Sequence, residues 1–75
     1  MYLDGRRIDN LYDAYLWLRK AWMDEPYNMW YETFGEKDSE YYRECIYIVP
    51  VRGHDEGSEW DIYSLEEFET FINTH

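Results

Sequence analysis

Asp55, Glu56, Glu59, Asp61, Glu66 and Glu69 follow one another with no Lys or Arg between them, and neither residue type occurs after Arg52. Carboxylates in such a run can hold a metal, work as an acid–base pair, or present fixed negative charge. A calcium loop of the EF-hand type needs D-x-[DN]-x-[DN]-G with a closing Glu. The stretch HDEGSEWD does not match it, so no designed metal site is expected. Paired carboxylates catalyse glycoside cleavage at set separations. With 17 acids in the chain, any chosen pair is unselective, and a domain this small has little room for a ligand cleft. No enzyme activity, no catalytic residue and no cofactor are expected. Fixed charge remains.

The charge is unevenly placed. Residues 1–23 hold Asp4, Asp9 and Asp13 against Arg6, Arg7, Arg19 and Lys20, whereas residues 24–75 hold fourteen acids against Lys37, Arg43 and Arg52. The formal net charge of −10 therefore belongs to the second part of the chain. Like charges at that density repel one another and cost stability. Rigid elements space same-face carboxylates about 6.6 Å apart on a strand and about 5–6 Å apart on a helix. Such rows can stand in for the phosphates of a duplex, which carries about one negative charge per 1.7 Å of axis. The candidate partner-binding residues are Asp55, Glu56, Glu59, Asp61, Glu66 and Glu69, with Glu36, Asp38 and Glu40 in second rank. The bland reading is a solvated acidic surface with no partner.

The other reactive types lack usable context. Cys45 is the single cysteine and lies in an apolar run, as a small core hydrophobe would. His54 sits among acids in a polar stretch, and His75 is the last residue. No Ser-His-Asp or Cys-His set is recognisable. Gly53 and Gly57 read as turn residues, not as a phosphate-cradling loop. Direct nucleic-acid binding is opposed by the charge, which Arg6 and Arg7 are too few to reverse.

The elements that must position the acids follow from spacing. Tyr2 and Leu3 read as a brief edge strand before an Asp4-Gly5 turn. A helix is expected from about Asn10 to Met23, with Leu11, Tyr15, Leu18 and Trp22 on its apolar stripe. Asp9 or Asn10 would cap it. A second helix is expected from Pro26, because Tyr27, Trp30, Tyr31 and Phe34 stand at i, i+3, i+4 and i+7, with Gly35 as C-cap. The run Cys45, Ile46, Tyr47, Ile48, Val49 and Val51 reads as a buried strand. Beyond a polar loop, Ser58, Trp60 and Ile62 alternate with Glu59, Asp61 and Tyr63, as a half-buried strand requires. Ser64 and Glu67 form a capping box for a last helix, Leu65 to about Asn73. The expectation is one acidic α+β domain over residues 1–75, ordered helix-helix-strand-strand-helix. Its small antiparallel hairpin sheet would carry the helices on one face.

Acidic chains are often disordered, but disordered chains are poor in aromatics. Here aromatics make up 21% of the residues, with nine Tyr and four Trp, so a folded domain is expected. An aromatic excess on so small a domain suggests burial by a second copy or a partner, and a homodimer is expected. MYLDGRRID has charges where a signal peptide would be apolar, and no apolar run is long enough for a membrane span. A cytoplasmic location is the expectation.

Small size, acidity, a Tyr and Trp load and no catalytic signature together resemble the small acidic DNA-mimic and host-takeover inhibitors of bacteriophages. Among these the chain is most similar in character to a Bacillus phage inhibitor of the nucleoid protein HU. The resemblance implies a non-catalytic protein in the host bacterial cytoplasm. It would occupy the basic DNA-binding surface of a host protein, HU in the first instance, and displace DNA. No residue is carried over from the resemblance. The alternative is a protein–protein adaptor or inhibitor using an aromatic patch, with Tyr12, Trp17, Tyr27 and Tyr41 as candidates and the acids serving solubility.

Overall fold

The computed structural model describes residues 1–51 and 59–74. Its elements run β1 (Tyr2–Leu3), β2 (Arg6–Arg7), α1 (Leu11–Ala21), β3 (Tyr27–Phe34), β4 (Arg43–Pro50), β5 (Trp60–Ile62) and α2 (Leu65–Thr74). The class is α+β, but the expected helix-helix-strand-strand-helix order is wrong. The second helix does not exist: residues 27–34 form a strand. The sheet on which both helices pack has three antiparallel strands in the order β3-β4-β5, and β1 and β2 make a separate hairpin.

The physical reason lies in the stretch YNMWYETF. It satisfies both periods, since Tyr27, Trp30, Tyr31 and Phe34 fit a helix while Tyr27, Met29 and Tyr31 fit one face of a strand. Its residue types favour the strand, and so does β4. Cys45, Ile46 and Ile48 are buried on both faces of β4, and a central strand needs a partner along each edge. β3 supplies one of them, pairing in register from Tyr27↔Pro50 to Phe34↔Arg43 without a bulge. Gly35 caps no helix. It has φ +81° and starts the β3–β4 loop, where a Cβ would stand 3.1 Å from the Tyr41 carbonyl oxygen.

The other elements form where their local signals place them. Asp4 and Gly5 both have positive φ, the conformation of a tight two-residue hairpin turn. Asn10 caps α1, its side-chain oxygen accepting from the Asp13 N–H at 2.8 Å. Ser64 Oγ accepts from the Glu67 N–H at 3.1 Å, while the Glu67 carboxylate reaches back to the Tyr63 N–H at 3.2 Å. That is one residue earlier than in a standard capping box.

The core lies between the sheet and the helices. Ile46, Ile48 and Ile62 meet Leu11, Ala14 and Leu18 of α1, Phe68 and Phe71 of α2, and Ile8. Trp17 stands edge-on to Phe68, and Trp60 edge-on to Phe71. Among the described residues no polar side chain is buried. None of the described helices is long and apolar enough to cross a membrane.

Candidate functional site

Alternation along three strands creates two sheet faces. The even residues of β4 and β5, with the odd residues of β3, point to the helices. The opposite set carries Asn28, Trp30, Glu32 and Phe34 on β3. Beside them stand Val49, Tyr47, Cys45 and Arg43 on β4, and Asp61 on β5, opposite Tyr47. No described helix or strand covers this outer face. Trp30 is 40% exposed and Phe34 43%, and Tyr63, just past β5, is 46% exposed. The Trp30 and Tyr47 rings lie 6.2 Å apart and tilted by 35°. Exposed rings gathered on one face mark a candidate interaction site.

Cys45 lies at the centre of this face and yet is 0% exposed. It is not part of the helix-side core. Burial pushes its thiol up. A raised thiol is a poor nucleophile, so Cys45 serves as packing. Burial, and then the contact with Cys45, push the Tyr47 hydroxyl up to about 12. Tyr63 is raised as well, first by the Cys45 sulfur, then by burial, with Asp61 and Glu67 contributing. Both phenols keep their protons at neutral pH. Glu32 and Asp61 are exposed among these rings. The face therefore offers π surface, hydroxyls and negative charge together. That chemistry suits cationic side chains, which bind ring faces and carboxylates alike. It repels phosphates, so the face is unsuited to stacking nucleic-acid bases.

The sequence-derived acids are not gathered in one place. Asp55 and Glu56 lie outside the described residues. Asp61 is on the outer face, and Glu59 is exposed immediately before β5. Glu66 and Glu69 are exposed on α2, on the helix side of the sheet. Glu36, Asp38 and Glu40 are exposed in the β3–β4 loop. That loop enters β4 at Arg43, whereas Trp60 is opposite Ile48, so about 20 Å of strand separates it from Glu59. Of these acids only Glu59 and Asp61 are neighbours at β5, and Glu32, which sequence reasoning passed over, shares the outer face with Asp61 from across β4.

The aromatic candidates are dispersed too. Tyr12 packs on Tyr31, Trp17 on Phe68 and Tyr27 on Trp22, while Tyr41 is exposed in the loop. The aromatic surface the fold builds instead, Trp30, Phe34, Tyr47 and Tyr63, was hidden by the helical reading of β3. Its signal was present in the period-two alternation of residues 27–31. Among the described residues no three His, Cys, Asp or Glu side chains gather to hold a metal ion. A surface groove of about 390 Å³ between the β1–β2 hairpin and α1 is lined by Leu3, Asp4, Arg6, Trp17, Lys20 and Ala21. No known family, curated protein or solved structure matches the chain.

Proposed function

We propose that this protein is a non-catalytic inhibitor that docks its outer sheet face onto the basic surface of a DNA-binding protein and keeps DNA off that surface. The observation that carries the reading is the uncovered face itself, where Glu32 and Asp61 stand among Trp30, Phe34, Tyr47 and Tyr63 on a chain of formal charge −10. Carboxylates set between rings engage Arg and Lys side chains by charge and by ring contact. The acidic field speeds the encounter and makes it depend on salt. Glu59 extends the face along β5, while the acids of α2 and of the β3–β4 loop add to the long-range field.

The test is a titration against a basic DNA-binding protein, with HU as the first probe and duplex DNA as competitor. An exposed ion pair is worth about 0.2–1 kcal/mol. Reversing Glu32 and Asp61 to Lys replaces attraction by repulsion and weakens binding by about 1–3 kcal/mol, roughly five- to 150-fold. The melting curve is expected to stay close to that of the parent. Affinity indifferent both to these substitutions and to salt would end the proposal. A second reading is favoured by the exposure of Phe34 and Tyr63. In it the aromatic residues alone carry an interface and the acids serve solubility. That interface would survive salt and fail with Phe34→Ala.

A further inference from the structure

β3 is an eight-residue strand at the edge of its sheet, and no described element pairs with its outer side. The Val51 N–H donates to the Pro26 carbonyl at 2.9 Å, which extends the register Tyr27↔Pro50 by one hydrogen-bonded pair. Such pairs alternate in an antiparallel ladder. The even residues of β3 therefore bond to β4, and Met29, Tyr31 and Thr33 point their N–H and C=O groups outward. Edge strands are normally blunted by Lys, Pro, a bulge or short length. YNMWYETF has none of these, and its one charge is Glu32.

A second observation lies on the same edge. α1 has two flanks: Trp17 meets Phe68 of α2, while Tyr12 meets Tyr31 of β3 at 5.1 Å between ring centroids. Leu16 lies four residues after Tyr12 and shares its flank. Both are exposed. An apolar helix flank thus runs beside a strand edge that no described element pairs.

We propose that a second copy of this chain pairs with β3 antiparallel about a two-fold axis, forming one six-stranded sheet with the two α1 helices packed side by side on its inner face. An outward row of alternating donors and acceptors is complementary to itself under such an axis. Backbone direction allows three central registers, and side chains choose between them. Centring the axis between Glu32 residues sets like charges opposite, which is destabilising. Centring it on Tyr31 also avoids like charges, but it sets Trp30 against the partner's Glu32 and forgoes an aromatic cross-strand pair. Centring it on Trp30 sets Trp30 beside the partner's Trp30, Met29 beside the partner's Tyr31 and Asn28 beside the partner's Glu32, with no like-charge contact. The assembly has this last register. It joins the two outer faces into one surface and leaves their side chains free for a partner.

Sedimentation or light scattering reads the first arm. The native chain is expected at twice its 9.4 kDa mass, and Thr33→Pro at the single-chain mass. Pro is tolerated where a strand's N–H points away from its own sheet, so the circular dichroism of Thr33→Pro should match that of the native chain. The second arm does not depend on that variant folding. Under mild oxidation Trp30→Cys is expected to cross-link, because cross-strand neighbours at a non-hydrogen-bonded position stand within disulfide reach. Asn28→Cys, which has the same native Cys45, is expected not to cross-link. A native chain at the single-chain mass up to millimolar concentration would overturn the proposal. So would a dimer that survives Thr33→Pro, or one in which Trp30→Cys stays uncrosslinked. Binding of a basic protein is a separate readout, so either idea can fail alone.

Discussion

The two faces of the three-stranded sheet are built from alternate residues of the same strands, and they solve opposite problems. The centre of the inner face is aliphatic, with Ile46, Ile48 and Ile62 closed over by Phe68 and Phe71, and polar groups enter only towards one end, where the Tyr31 hydroxyl donates to the Glu44 carboxylate. The outer face is aromatic, carries hydroxyls and carboxylates, and is covered by no described helix or strand. Cys45 shows the difference most plainly. It is as buried as Ile46, but it lies on the opposite face of the sheet, outside the helix-side core. The domain gains its stability from the side of the sheet that carries the helices.

Substitutions separate the two faces by size of effect. Phe68→Ala on the inner side removes a fully buried ring and is expected to cost about 3–5 kcal/mol. In a 75-residue chain that leaves little or no cooperative unfolding in a denaturant titration. Phe34→Ala on the outer side removes a half-exposed ring. It is expected to cost about 1 kcal/mol while lowering affinity for a basic partner. Similar losses of stability at the two positions would erase the contrast.

The caps come next. Asn10→Ala and Ser64→Ala each leave a helix N–H unanswered and are expected to cost about 1 kcal/mol, read as a lower denaturation midpoint with unchanged slope.

The outer phenols respond to alkali. The folded Tyr47 hydroxyl titrates at about 12, against an ordinary value of 10.0. The folded state therefore holds a proton that the unfolded chain has begun to lose. This contribution to stability is complete below pH 10.0 and fades as pH rises through about 12. Tyrosinate absorbance followed alongside unfolding is expected to show it, and Tyr47→Phe should flatten that part of the profile.

The smallest effect is expected from Glu36→Gln, Asp38→Asn and Glu40→Gln together. They change stability by no more than about 0.5 kcal/mol and affinity only through the overall field. A large loss of affinity would move the binding site from the outer face to the β3–β4 loop.

Much of this was legible before any coordinates. Asn10 and Ser64 announce helices by side chains that answer nearby backbone donors, and α1 and α2 form where those signals stand. Trp60 and Ile62 face inward and Asp61 and Tyr63 outward, as their alternation requires. Residues 27–34 were not legible in the same way. Their aromatic spacing fits a helix and a strand equally, and no local contact separates the two. The error hid the site as well, since Trp30, Glu32 and Phe34 share a face with Tyr47 and Asp61 only if β3 is a strand.

By itself the sequence determined the acidity, the caps, the turn at Asp4-Gly5 and the central buried strand, because each depends on interactions within a few residues. Only the tertiary structure decided that Tyr27–Phe34 pairs with Arg43–Pro50 and that no described element covers the outer face. It also decided that the acids are divided between the two sides of the sheet. The reason is that β4, buried on both faces, must satisfy its backbone groups along both edges, and that demand reaches across the chain to a segment that could otherwise have coiled.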